Sequence, residues 1–149
     1  MKGTLMPTDL DPSICTCSKM RKASRAITRI YEAALQSSSL SVSQFNLLCV
    51  LDSRGGLALT ALAEVLDLDR TTLTRNLKPM ERDGLIAIHG EQDQRKKLIE
   101  LTDTGRLRHA AALPLWNAVQ SKLMSSLGPD TWNILDSALS EVRDTTRAL

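Results

Sequence analysis

Apolar residues recur along most of this chain at the three- and four-residue spacing of amphipathic helices, and the spacing breaks at a few recognisable places. Ile14, Cys17, Ile27, Ile30 and Ala34 repeat in this way after Asp11-Pro12, a start signal with proline in the first turn. A helix is therefore predicted from about residue 12 to residue 36, and Ser37-Ser38-Ser39 interrupts it. Ser41 or Ser43 is placed to cap a second helix through QFNLLCVLDS, which Arg54-Gly55-Gly56 ends. Thr60 opens a short third helix, ALAEVL, and Asp67-Leu68-Asp69 forms a tight turn after it. Asp69 caps a fourth helix that runs to about Asp83, with Gly84 as its C-terminal stop. LIAIH and KLIEL are short, rich in branched residues and separated by GEQDQRK, the pattern of a β-hairpin with a polar tip. Thr102 caps a long fifth helix with Pro114 inside it, Gly128-Pro129-Asp130 breaks the pattern, and TWNILDSALSEVRDTTRAL forms a sixth helix. The expected fold is mainly α, with six helices and a small β-hairpin. Residues 1–12 are expected to form a flexible arm and residues 13–149 a single domain.

The fourth helix carries the most informative pattern. At about 100° per residue, Leu73, Leu77 and Met80 fall on one stripe, while Thr71, Arg75, Lys78 and Arg82 fall on the opposite face. Thr72 and Asn76 lie on one flank. Pro79 removes the amide that would bond the Arg75 carbonyl, so a bent helix is expected there. A short helix, a three-residue turn and a second helix make a helix-turn-helix. The second helix of that motif needs small polar groups near its N-terminus for base edges, and guanidinium groups for guanine or phosphate. The hairpin that follows carries Arg95, Lys96 and Lys97 at or beside its tip, where a cationic cluster can reach phosphates or a neighbouring minor groove.

Composition narrows the class. Aromatic residues make up 3% of the 149 residues, so Leu, Ile, Val, Ala and Met must build the interior, which favours helices. No apolar run reaches the roughly 18 residues of a membrane span, and MKGTLMPTDLDPS lacks a secretory apolar stretch, so a cytoplasmic protein without a membrane partner is expected. A net charge of +2 says little by itself about partners. The placement of charge says more, because five basic residues and no acid lie between Lys19 and Arg29. The first helix and the last two hold more apolar residues than a thin DNA-binding module can cover. Leu113, Leu115, Trp116, Val119, Leu123, Trp132, Leu135, Leu139 and Val142 need partners, and a two-fold interface would supply them. There is no glycine-rich phosphate loop, no persuasive carboxylate pair and no nucleophile with a histidine nearby in the sequence, so an enzyme is not expected.

LTALAEVLDLDRTTLTRNLKPMERDGLI, followed by DQRKKLIELTDTG, resembles the winged helix-turn-helix of the MarR family of transcriptional regulators. The most specific pieces are D-R-T-T-L-T-R, the following G-L-I, Asp93 and Arg95 of the wing, and L-T-x-x-G from Leu101 to Gly105. The resemblance covers about residues 13 to 147. It implies an intertwined homodimer, joined by about residues 13–36 and 103–149, with a DNA-binding lobe of about residues 41–101 that reads a palindromic operator in double-stranded DNA. On this match Arg70, Thr71, Thr72, Thr74, Arg75 and Asn76 approach the major groove, Arg95 enters the minor groove, and Asp93 steadies it. Lys78, Lys96 and Lys97 add phosphate contacts. The function expected is that of a regulator, acting as a repressor and released by a small-molecule effector or by thiol modification. The alternative is a winged-helix module that binds protein instead of DNA.

The cysteines leave the signal open. Cys15 and Cys17 lie about 200° apart on a helix, so a disulfide between them needs that turn unwound. Cys17 shares the stripe of Ile14 and reads as a small core residue. Both thiols also lie in the first turns of a helix beside Lys19, Arg21 and Lys22, where the dipole and the cations favour thiolate. CSKMRKASRAITRIY further resembles the first helix of the hydroperoxide-sensing branch of the family, which makes Cys17 the sensing position and Tyr31 one of the tyrosines that hold it. Arg21 and Val42 stand where further tyrosines are expected on that match. A third possibility is a Cys-x-Cys pair that captures a soft metal or metalloid, with Cys49 as a third thiol if the fold brings it close. Otherwise Cys49, inside LLCVL, is expected in the core. His89 and His109 lack metal-ligand spacing and read as strand-end or helix-surface residues. Neither a metal site nor a cofactor is predicted, and the effector is left as a phenolic ligand, an oxidant or a metalloid.

Overall fold

The structure is a computed structural model that describes residues 15–90 and 97–148. The N-terminal arm and the Asp11-Pro12 start signal lie outside the described residues. Helix α1 (Thr16–Leu35) runs into one turn of 3-10 helix, Gln36–Ser38. Ser39 then takes left-handed backbone (φ 56°) and its N–H bonds the Gln36 carbonyl, which ends the segment inside the serine run. Helix α2 (Val42–Arg54) starts at Ser41, not Ser43. The Ser41 hydroxyl accepts from the Gln44 N–H at 3.2 Å and the Gln44 side chain accepts from the Ser41 N–H at 3.0 Å, a reciprocal cap that only the first serine can make.

Strand β1 (Leu57–Ala58) follows, and helix α3 (Leu59–Leu66) begins one residue before Thr60. Thr60 is therefore not its cap. Ala58 holds that position without a side-chain bond, and the Leu59 N–H bonds the Lys97 carbonyl at 3.1 Å instead. Helix α4 (Arg70–Arg82), strands β2 (Ile86–His89) and β3 (Leu98–Leu101), helix α5 (Asp103–Leu127) and helix α6 (Pro129–Arg147) complete the order. The expected hairpin is present as β2 and β3, paired from Ile86↔Leu101 to His89↔Leu98. It belongs to a three-stranded antiparallel sheet of order β1-β3-β2, because β1 pairs with the other side of β3. Two residues are too few to show strand periodicity, so β1 has no signature in the sequence. Gly128 makes the joint between α5 and α6, and Pro129 is the first residue of α6, two residues earlier than expected.

The core lies in the central lobe. Leu47, Leu48 and Leu51 of α2, Leu62 of α3, Leu73, Leu77 and Met80 of α4, and Ile86 and Ile99 of the sheet are buried together, with Ala112 of α5 against them. Helix α1 packs on α2 and α5. By contrast α6 buries none of its residues within the chain, and Ile134 is 70% exposed. Among the described residues no helix is long and apolar enough to cross a membrane.

Candidate nucleic-acid interface

The turn between α3 and α4 is built by two aspartates. Asp67 adopts left-handed backbone (φ 54°), a conformation aspartate tolerates better than most residues, and the amides of Asp67 and Leu68 return to the Glu64 and Ala63 carbonyls. Asp69 then caps α4. Its carboxylate accepts from the Thr72 N–H at 2.8 Å and from the Thr72 hydroxyl at 2.6 Å. These bonds, led by the hydroxyl, hold the Asp69 carboxyl below its ordinary value. Helix α4 runs on through Pro79 to Arg82, and the Asp83 N–H bonds the Pro79 carbonyl at 2.9 Å. The buried stripe is the one read from the periodicity: Leu73, Leu77 and Met80 all face the core.

The opposite face presents Arg70, Thr71, Arg75 and Lys78, all exposed. Together with Thr74 and Leu59 they line one open concavity of about 590 Å³. Two of the expected base-reading hydroxyls are already engaged locally. That of Thr72 donates to Asp69, and that of Thr74 donates to the Arg70 carbonyl at 2.7 Å. Asn76 is half-buried and lines a separate small pocket with Arg75, Ser41 and Ser43.

Of the wing, Lys97 is half-buried at the start of β3 and lines a pocket shared with Lys78 and Thr74, which places it beside the recognition face. Asp93, Arg95 and Lys96 lie outside the described residues. The base of the wing is fastened by the L-T-x-x-G segment. Thr102 caps α5 by accepting from the Gly105 N–H at 2.9 Å, while its hydroxyl donates to the Gly84 carbonyl at 2.6 Å. Gly105 packs so closely that a Cβ there would stand 2.0 Å from the Leu85 carbonyl oxygen. The bond from Thr102 to Gly84 joins the end of the helix-turn-helix to the start of α5.

The thiols separate into two environments. Cys15 and Cys17 are both exposed, as is every described residue up to Ala26, so the core reading of Cys17 is corrected within the chain. Tyr31 is buried and its hydroxyl donates to the Gln120 side chain of α5. It lies fourteen positions along α1 from Cys17, a rise of about 21 Å, so the two do not meet in one chain. Cys49 is half-buried at the core edge and is not gathered with Cys15 and Cys17. Among the described residues no group of three or more His, Cys, Asp or Glu could hold a metal ion. His89 is the expected exposed strand end, with Nε2 3.3 Å from a Glu100 carboxylate oxygen. His109 is not a helix-surface residue. It is buried, with Nε2 3.3 Å from the Cys49 sulfur and Nδ1 3.6 Å from an Asp52 carboxylate oxygen. Sequence separation of 60 residues concealed this pairing of a thiol with a histidine.

A cavity of about 570 Å³ opens between α1, α2 and α5, lined by Tyr31, Phe45, Asn46, Cys49, Trp116 and Gln120 among others. Phe45 and Trp116 stack with ring centroids 6.0 Å apart. Its lining residues come from three helices distant along the chain, so no local pattern in the sequence brings them together.

Comparison with known proteins agrees with this geometry. The MarR family model matches residues 40–97, which span α2 to the wing. The organic hydroperoxide resistance transcriptional regulator of Bacillus subtilis (strain 168) is 34% identical over 100 residues, covering 66% of this chain and 68% of that protein. The crystal structure of the M. tuberculosis transcriptional regulator MosR superposes with a TM-score of 0.79 at 34% identity, over 91% of this chain and 98% of that one. The same regulator in complex with DNA superposes with a TM-score of 0.81 at 36% identity, over 90% and 97%. A helix-turn-helix with a cationic, threonine-bearing second helix, a sheet-borne wing and these relatives together establish that the chain belongs to the MarR family of winged-helix transcriptional regulators, which are DNA-binding proteins and not enzymes.

Proposed function

We propose that the protein is a repressor that binds a palindromic operator as a homodimer and lets go when an effector occupies the cavity between α1, α2 and α5. The exposed Arg70, Thr71, Arg75 and Lys78 face carries this reading. Thr71 and the arginines are free to meet base edges and phosphates, while Thr72 and Thr74 shape the helix that presents them. Asn76 flanks that face, and Asp93, Arg95, Lys96 and Lys97 belong to a wing that reaches the adjacent groove. The single domain joins its partner through α1, α5 and α6, whose apolar residues stand exposed in the isolated chain. The described residues lining the cavity carry no formal charge, and two stacked rings are among them, which suits a small aromatic or phenolic effector. Such a ligand changes affinity by altering the spacing of the two recognition helices, since both half-sites must fit at once.

A second signal is favoured by the exposure of Cys15 and Cys17 at the start of α1 beside Lys19, Arg21 and Lys22: thiol modification there would disturb the same dimer helices. The test of the main reading is a titration of the duplex upstream of the protein's own coding region at several salt concentrations. The logarithm of affinity should fall with the logarithm of salt by roughly one unit per phosphate contact. Arg95→Ala should weaken binding by about 1–3 kcal/mol if that guanidinium reads a groove. A flat salt response together with an unaffected Arg95→Ala variant would favour a protein-binding role for the winged helix.

A further inference from the structure

The core edge holds an arrangement that DNA binding does not use. Cys49 of α2, His109 of α5 and Asp52 of α2 form a line, sulfur to Nε2 at 3.3 Å and Nδ1 to carboxylate at 3.6 Å. His109 is buried and tilted against the Phe45 ring, with centroids 5.6 Å apart, so its imidazole is held in place. Asp52 is about half exposed, with 46% of its side chain open to solvent. Cys49 lines the cavity that the stacked Phe45 and Trp116 rings also line. The nucleophile therefore borders a space that admits a flat molecule, and it touches a base that can take its proton, which in turn lies beside a carboxylate.

We propose that Cys49 is a covalent capture site for planar α,β-unsaturated carbonyl compounds, with His109 as the proton acceptor and Asp52 as the group that positions it. Burial, and then the nearby Asp52 charge, push the Cys49 thiol up, which favours S–H, the form that can donate to Nε2 when the ring carries its own proton on Nδ1. That protonated state keeps the sulfur quiet toward random oxidants. A conjugated carbonyl stacked on the rings brings its β-carbon to the sulfur. A carbon–sulfur bond then forms as the carbon–carbon double bond gives its electron pair to the carbonyl oxygen. The thiol proton moves to His109 Nε2 and is passed to the enolate, which returns as the saturated carbonyl. The net change is addition of S–H across the double bond, with no oxidant or reductant. This chemistry is independent of DNA; its consequence, release of the operator through the α2–α5 contact, rests on the regulator reading above.

The test uses the full chain as a Cys15→Ser/Cys17→Ser double variant, in which Cys49 is the one thiol. It is treated with N-phenylmaleimide, a flat unsaturated carbonyl probe, and followed by intact-mass spectrometry and by titration of the same sample with operator before and after treatment. One adduct per chain at Cys49 is expected, with operator affinity falling roughly tenfold or more. In the same background His109→Gln, which keeps a polar side chain of similar reach, should form the adduct roughly tenfold more slowly or worse while its thermal midpoint stays close to the parent's. If that variant unfolds, an aromatic competitor added to the parent serves instead, and must slow the adduct. The proposal is overturned by a Cys49 left unmodified while denatured protein reacts fully, by a folded His109→Gln chain that reacts as fast as the parent, by a competitor without effect, or by an adduct that leaves operator affinity unchanged. A protein that binds no operator before treatment would instead count against the regulator reading, and the adduct measurements would still judge the capture site.

Discussion

Individual residues in this chain are tied to single contacts that leave little freedom. Gly105 touches the Leu85 carbonyl where a methyl group has no room, and the obstacle is backbone, not the end of a flexible side chain. Gly105→Ala must therefore push α5 away from the end of the helix-turn-helix or break the Thr102 cap. The expected cost is about 1–3 kcal/mol, the range for overpacking a closed site. Urea unfolding of the two proteins measures it, and equal midpoints would show that α5 can shift freely. Thr102 illustrates how one hydroxyl serves two elements, accepting from Gly105 and donating to Gly84. Neither contact shows in the residue's identity, although the L-T-x-x-G spacing does point to the place.

The recognition helix depends on its first turn. Asp69 satisfies the Thr72 amide and hydroxyl together, and those bonds keep its carboxyl ionised below the ordinary Asp value of about 3.9. A carboxylate whose folded value is depressed contributes fully above its unfolded value, and the contribution fades as pH falls through the lower folded one. Asp69→Ala should thus lower the thermal midpoint near neutral pH, and the gap from the parent should narrow below about pH 4. Melting curves of both proteins across that range check the prediction; a gap that does not change with pH would mean that the cap is not the source. At the other end, Pro79 does not stop α4. Its missing amide costs one bond to Arg75, but buried Met80 and the Asp83 amide on the Pro79 carbonyl carry the helix another turn.

At the scale of the molecule, two regions have unequal claims on burial. The central lobe closes its own core, while α6 buries nothing within the chain and leaves Ile134 and Leu139 exposed by 70% and 44%. If those residues meet a second copy, Ile134→Asp combined with Leu139→Asp places two charges in an apolar interface. The variant should keep its helix content, sediment as a monomer where the parent sediments as a dimer, and bind operator more weakly, because one chain presents one recognition helix. Sedimentation of a variant that still pairs would move the interface elsewhere. The Arg147–Asp67 pair, 3.0 Å apart, adds a surface tie between the end of α6 and the helix-turn-helix, but exposed pairs of this kind contribute little to stability.

Local chemistry by itself determined the helices, the aspartate cap, the buried stripe of α4 and the hairpin, because each is set by periodicity and by bonds within a few residues. The same locality made the cationic face of α4 legible and, with it, the family. Only the tertiary structure decided that β1 turns the hairpin into a three-stranded sheet and that Cys17 is exposed in the chain. It also decided that His109 lies against Cys49 and that rings from α2 and α5 share one cavity with Tyr31 of α1. These are contacts between segments distant along the chain, and neither spacing nor composition records which helix will pack on which.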